Sequence, residues 1–382
     1  MFQPAFINKF QSLETPFYFY DIDVLEQTLG RLQQFCGKSG YKVHYALKAN
    51  ANERILEKIK ACGFGADCVS GNEVKRALAI GFPPEKIVFA GVGKTDAEIL
   101  TALENDIFCF NCESLQEIEI IDRLAGDSKR TAGIALRINP NVPAQTHDYI
   151  TTGLEENKFG IHFREMEKAL ALFKQRHHIR LLGLHFHIGS QITHMSVFQD
   201  FCVSVNEIQR RLLDRPISIE HLSLGGGLGV DYHNPDFLPD FENYFEVFRQ
   251  FLEPPPGQSI HFELGRSVTA QCGSLMCRVL YVKKGMETTF VILDAGMTEL
   301  IRPALYQSYH KIENLTSTGP PEEYDVVGPI CESSDCFGKA VTLPQTRRGD
   351  LIAIRSTGAY GEVMASRYNL RDWAPAVFSD KF

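Results

Sequence analysis

Tryptophan occurs once in 382 residues, and no apolar run approaches the 18 residues that a membrane-crossing helix needs. No membrane span is therefore expected. The opening residues, MFQPAFINKF, lack the long apolar core of an export signal, so a cytoplasmic setting with reduced thiols is expected. Positive charge is also short: 39 Lys and Arg against 47 Asp and Glu leave a net charge of −8. That balance excludes a broad electrostatic grip on nucleic acid, and leaves small polar substrates untouched. The ten cysteines form no zinc pattern. Cys109 and Cys112 make one CxxC with no second pair and no nearby histidines, so they are read as thiols in a strand facing the core. Internal repeats, low-complexity tracts and linker-like stretches are absent as well.

What is present is a chain too long for one ordinary core, which suggests two domains. Its 44% hydrophobic and 23% charged residues fit a globular protein. Eight short apolar runs recur: VHYAL (43–47), GADCV (65–69), IVFA (87–90), IFCF (107–110), GIALRI (133–138), LLGLHFHI (181–188), EHLSL (220–224) and SIHFE (259–263). Stretches of helical spacing separate most of them, as in NERILEKIKACGF, where Ile55, Leu56, Ile59 and Cys62 share one face. The alternation predicts an α/β fold, an eight-fold TIM-like β/α barrel over residues 27–266. The fifth connection, about 40 residues long, is expected to carry an excursion besides its helix. Beyond residue 266 strand-like runs continue without clear amphipathic helices. Residues 267–382, joined by 1–26 with its PFYFYDI run, are expected to form a mostly β domain.

Functional groups of such barrels gather at the C-terminal strand ends. Those ends carry Lys48, Asp67, Ser70, Asn111, Glu113, Arg137, Asn139, His185, His187, Glu263 and Arg266. Lys48 closes the first apolar run. It either snorkels to water or acts as a Schiff-base amine. GGGLG (225–229), after the seventh strand, is either a structural turn or a place where backbone N–H groups approach an anion. His185 and His187 sit two apart, which in a strand puts both on one side. A zinc pair is one reading. The preferred one is a packed core histidine plus one site histidine. A lysine, a phosphate cradle, a flat imidazole and the Glu263 carboxylate together suit pyridoxal phosphate, whose ring nitrogen needs an acidic partner.

The chain resembles the fold-type III pyridoxal-phosphate-dependent decarboxylases, which have an alanine-racemase-like fold. The matching stretches are YALKAN, GADCVSGNE, INPNVPAQTHDYITTGLEENKFGI, HFHIGSQI, LGGGLGV, ELGRSV, DAGMTELIRPALY, VVGPICESSDCFG and RSTGAYG, spanning residues 45 to 361. The resemblance implies that Lys48 holds pyridoxal 5′-phosphate, that His187 stacks on its ring, and that Glu263 pairs with its ring nitrogen. It places Ser190, Gly225, Gly226, Gly227, Gly265 and Arg266 in phosphate- or substrate-contacting positions. Arg302 and Tyr306 match substrate-binding positions, Cys331 a proton donor, Glu332 a substrate-binding acid, and Tyr360 a contact to substrate and cofactor. It also implies a homodimer whose partner chain supplies the Cys331 loop. Leu264 stands where the family usually has proline, which frees one φ angle.

The implied reaction removes CO2 from an α-amino acid. A thiol, with a reference pKa of about 8.5, can return the proton. Arg266, Arg302 and Tyr306 suit a distal carboxylate and Glu332 a distal ammonium. That combination points to meso-2,6-diaminopimelate, giving L-lysine in the last step of lysine biosynthesis. Alternatives are a decarboxylase of ornithine, arginine or carboxynorspermidine, against which IRPALY argues, an amino-acid racemase, and a non-catalytic cofactor-binding protein.

Overall fold

The computed structural model describes residues 2–140, 158–213 and 218–382; positions 141–157 of the INPNVPAQTHDYITTGLEENKFGI stretch lie outside the described residues. Contacts divide the chain into two compact units. Leu29–Gly229 with Asp240–Gly265 form one, and Met1–Thr28 with Val230–Pro239 and Arg266–Phe382 form the other.

Helix α1 (Pro4–Gln11) and strand β1 (Phe17–Tyr20) lead into α2 (Ile22–Lys38), within which the first unit boundary falls. The barrel unit follows. Its parallel strands are β2 (Lys42–Ala46), β3 (Gly65–Cys68), β4 (Ile87–Phe89), β5 (Cys109–Cys112), β6 (Ala132–Arg137), β7 (Ile179–His185), β8 (His221–Ser223) and β9 (Ser259–Leu264). They close in sequence order, with Lys42 of β2 beside His261 of β9. Parallel strands are covered on both faces, which is why their sequences read as unbroken apolar runs. Helices α3 (Glu53–Ala61), α4 (Gly71–Ile80), α5 (Asp96–Glu104), α6 (Leu115–Asp127), α7 (Met166–Phe173), α8 (Met195–Leu213) and α9 (Phe241–Phe251) alternate with them. Side-chain caps set several helix starts: Ser70 accepts from Glu73 N, Ser114 from Glu117 N, and Thr95 with Glu98 forms a reciprocal box. No helix among the described residues is long and apolar enough to cross a membrane.

Two strand ends differ from the sequence reading. The fifth-numbered strand begins at Cys109 rather than Ile107, because Asp106 takes a left-handed φ of +50° and keeps the chain in its turn. Asn111 therefore lies inside β5, opposite Ala135 of β6. β7 ends at His185; Phe186 N still donates to the Ser223 carbonyl at 2.8 Å, and His187 lies in the loop beyond. His185 and His187 consequently do not share a strand.

The β unit continues through α10 (Arg266–Thr269), β10 (Gly273–Lys284), β11 (Thr289–Leu293), α11 (Arg302–Tyr306), β12 (Ile312–Asn314), β13 (Pro321–Val327), β14 (Cys336–Pro344), β15 (Leu351–Ile354) and β16 (Ala376–Phe378). The sheet runs β12-β15-β10-β11-β13-β14, and β1 pairs antiparallel with β10 and parallel with β16. The PFYFYDI run thus adds its strand to this unit. Phe10, Phe17 and Phe19 bury themselves against Met276, Leu351 and Ala353, with Phe6 and Phe382 packed around them. The segment Val230–Pro239, which the sequence reading placed in the barrel, packs here. Asp236 pairs with Arg355 at 2.7 Å, and Gln271 donates to the Pro235 carbonyl at 3.1 Å.

The barrel interior holds a histidine stack. His44 and His261 share a 2.8 Å hydrogen bond, and His221 meets His261 edge-on at 4.1 Å. Burial pulls the His221 imidazole down to about 3, and neither of its ring nitrogens has a partner among the described residues. In the unfolded chain the same ring titrates near 6.5. Acid therefore protonates the unfolded chain first, and stability falls as pH drops below about 6.5. Between pH 7 and pH 5 this one group should remove about 2 kcal/mol. Melting temperatures measured across that range should fall markedly less in His221→Leu than in wild type.

Candidate active site

Lys48 sits in a one-turn 3-10 segment, Leu47–Ala49, directly after β2. The strand carries it to the C-terminal rim of the barrel, where its side chain is 41% exposed. Its Nζ stands 3.9 Å from Oδ2 of Asp67, which is buried on β3. Burial, reinforced by the nearby Glu263 charge, holds the Asp67 carboxyl well above the usual range. The Lys48 charge pulls it back only in part.

Glu263 is the opposite case. Burial alone would push its carboxyl up, but the His185 imidazole and the hydrogen bonds from His185 and Ser223 hold it below the usual range. Asn111 Nδ2 donates to Oε1 at 3.0 Å, Ser223 Oγ to the same oxygen at 2.8 Å, and His185 Nε2 lies 2.9 Å from Oε2. β5, β8 and β7 each contribute one of these groups.

The glycine run needs its glycines. Gly225 and Gly227 have φ of +63° and +103°. A Cβ on Gly225 would sit 2.4 Å from the Phe186 carbonyl oxygen, and one on Gly226 2.1 Å from that of Glu263. The Gly226 N–H donates to Nδ1 of His187 at 3.3 Å, which leaves the ring proton of His187 on Nε2. Burial, with the Lys48 charge, keeps this imidazole neutral, well below its usual titration range. Ser190 lies in the same loop, next to Gly189, and Gly265 backs onto Ala46 and Ala49, where a Cβ would be 3.2 and 3.0 Å from theirs.

A buried ionic chain braces the ends of β5 and β6. Arg137 donates to Glu113 at 2.7 Å, the Glu113 N–H to Glu117 at 2.7 Å, and Lys94 to Glu117 at 2.6 Å. Lys94 and Glu117 escaped the sequence reading. They lie on a loop and a helix, away from the strand ends that it searched.

In the β unit, Arg266 and Arg302 are 4% and 5% exposed. The Arg266 guanidinium lies 4.8 Å from the Tyr360 ring centre, and that of Arg302 5.7 and 5.8 Å from Tyr306 and Tyr360. Tyr360 is held in the left-handed region at φ +58°. Cys331 and Glu332 are exposed. The Cys331 N–H donates to Asn369 Oδ1 and the Glu332 carboxylate accepts from Tyr368 Oη, neither of them a member of the arginine set. Asp335 staples their loop, accepting from Ile330 N at 2.7 Å and Met297 N at 2.6 Å. Among the described residues no three His, Cys, Asp or Glu side chains are grouped to hold a metal. Cys109 and Cys112 are buried free thiols.

The pattern of the pyridoxal-binding domain of pyridoxal-dependent decarboxylases matches residues 23–270. The chain belongs to that decarboxylase family. A diaminopimelate decarboxylase of Bacteroides thetaiotaomicron is 55% identical over 378 residues, covering 98% of both chains. One from Helicobacter pylori J99 is 41% identical, over 95% of this chain and 89% of that one. The crystal structure of the Helicobacter pylori diaminopimelate decarboxylase complexed with L-lysine superposes with a TM-score of 0.91 at 39% identity, over 97% and 94% of the two chains. The barrel unit fits the family's cofactor: an amine at the rim, a carboxylate kept anionic in the interior, and a backbone cradle that a Cβ would fill.

Glu263→Gln should test that carboxylate. An amide offers one acceptor oxygen to groups that now share two, so one of Asn111, Ser223 and His185 must face an NH2. Turnover should drop by about 10²-fold or more while the bound cofactor's absorbance persists. An unchanged kcat would rule out a functional role for the Glu263 charge.

Proposed function

We propose that the chain decarboxylates meso-2,6-diaminopimelate at its D centre, yielding L-lysine and CO2, with pyridoxal 5′-phosphate as cofactor. The observation that carries this reading is Arg302. It is a nearly buried cation whose described surroundings are tyrosine rings, and its Nε has no hydrogen-bond partner among the described residues. A buried guanidinium without a carboxylate asks for an anion. Diaminopimelate keeps a carboxylate at the end that does not react. Ornithine and arginine have none there. The names of the relatives and the lysine held by the Helicobacter pylori enzyme support the same substrate.

When bound, the cofactor supplies an electron sink for the carbon that loses CO2. Lys48 would hold it through its amine, the Gly225–Gly227 backbone with Ser190 and Gly265 would take its phosphate, and His187, neutral and flat, would stack on its ring. Glu263 would keep the ring nitrogen protonated, which the hydrogen bonds to its carboxylate favour by keeping it anionic. Arg266, Arg302 and Tyr306 take the distal carboxylate, Glu332 the distal ammonium, and Tyr360 contacts both ligands. Cys331 Sγ carries the proton that replaces CO2.

Cys331 and Glu332 act from a second copy of the chain. They are exposed, and so are the apolar side chains of the segment that hydrogen-bonds them: Tyr368 at 47%, Leu370 at 89% and Trp373 at 57%. A covering subunit buries that surface and keeps bulk water from the reacting carbon.

CO2 release measured on meso-diaminopimelate, ornithine and arginine should favour the first in kcat/KM by on the order of 10³-fold, because a site built around a carboxylate is left unpaired without one. Comparable rates on ornithine would overturn the assignment. Mixing should test the shared site. Lys48→Ala and Cys331→Ala should be nearly inactive alone. After subunit exchange about half the dimers are mixed, each with one intact site, so about a quarter of wild-type activity should return. No recovery despite proven exchange would place all the groups of a site on one chain.

A further inference from the structure

Tyr232 follows the glycine run, in the sequence LGGGLGVDY. It belongs to the β unit with Arg266 and Arg302. Arg266 Nη1 donates to its Oη at 2.7 Å, and the Arg302 guanidinium carbon lies 6.0 Å from its ring centre. The His310 ring meets it edge-on at 4.9 Å. His310 adds no positive charge: burial pulls it down to about 3, and its Nδ1 lies 2.9 Å from the Arg355 carbonyl oxygen, to which it donates.

A guanidinium can only donate. The Arg266 bond therefore occupies a lone pair of the phenol oxygen and leaves the phenol's own hydrogen unused. Among the described residues nothing accepts that hydrogen. Tyr232 is a buried, oriented O–H donor beside two buried cations.

We propose that Tyr232 is a further carboxylate-binding group, donating its O–H to the distal carboxylate that Arg266, Arg302 and Tyr306 also take. This rests on the diaminopimelate reading above. Burial by itself would raise the phenol's pKa, but Arg266 and then Arg302 bring it below the ordinary phenol value. That polarisation makes the O–H a stronger donor without adding a charge. A carboxylate bound this way meets charge from two sides and a neutral donor from a third. A substrate ending in an ammonium alone would find no acceptor there and would meet like charge.

The test compares ligands that differ by that carboxylate. In cofactor-loaded Tyr232→Phe, KM for meso-diaminopimelate and the inhibition constant of L-lysine should rise about 10-fold or more, the usual worth of a hydrogen bond to a charged group. The inhibition constant of cadaverine, lysine without its carboxylate, should change by less than about twofold. kcat should fall far less than kcat/KM, and the melting temperature and cofactor absorbance should stay near wild type. Equal weakening of lysine and cadaverine, or no weakening of either, would overturn the role of Tyr232. A wild-type protein with no turnover on meso-diaminopimelate would instead overturn the functional reading, and dissociation constants of lysine and cadaverine, read from the bound cofactor's absorbance, would still decide Tyr232.

Discussion

Glu263 is a carboxylate inside a barrel, and its solvation has to come from the barrel walls. An unpaired charge there would be costly by several kcal/mol. Three strands prevent that cost by each presenting one polar group at the same depth: Asn111 from β5, His185 from β7 and Ser223 from β8. The register that aligns them leaves no slack, since a slip by one residue would turn each group to the wrong face. The same strand also shapes the glycine cradle. Glu263 N donates to the Gly225 carbonyl at 2.7 Å, and the Glu263 carbonyl leaves no room for a Cβ on Gly226. One strand thus sets both the buried charge and the backbone that approaches an anion.

Two buried carboxyls in one barrel are shifted in opposite directions. Asp67 and Glu263 are 1% and 8% exposed. Glu263 has its hydrogen bonds and stays ionised. Asp67 has one oxygen without a partner among the described residues and Lys48 at 3.9 Å, and its carboxyl is pushed up. Like charges at close quarters reinforce the split, because the ionised Glu263 raises the cost of a second anion.

The β unit applies the reverse electrostatics. Two of its buried cations, Arg266 and Arg302, have aromatic faces beside their guanidinium groups. Ring quadrupoles tolerate a guanidinium without neutralising it, so the positive potential remains available to an anionic ligand. Recognition of the non-reacting end of a substrate can then be strong and specific, since a diamine leaves that potential unanswered.

Local pattern carried a good deal of this protein. The eight apolar runs announce the barrel, because parallel strands buried on both faces must be apolar throughout. Lys48, at the end of the first run, and the glycines after the seventh stand out against that background, and the YALKAN and CESSDC stretches identify the family. What local pattern could not carry was decided by partners distant in the chain. Asn111 lies inside β5 and bonds Glu263 of β9, a partner far away in the chain. His187 lies in the loop beyond β7, off the strand of His185. Short β12 and β16, and β14 with its glycine and its one lysine, take their strand character from neighbours in the sheet rather than from their own composition. The upward shift of Asp67 depends on burial and on the charge of Glu263, far away in the chain. Tyr232 sits among barrel residues in the chain yet packs with the β unit, beside Arg266 and Arg302. Periodicity reports which face of an element is buried. Hydrogen-bond satisfaction, charge state and ligand geometry depend on what stands opposite, and that exists only once the chain has folded.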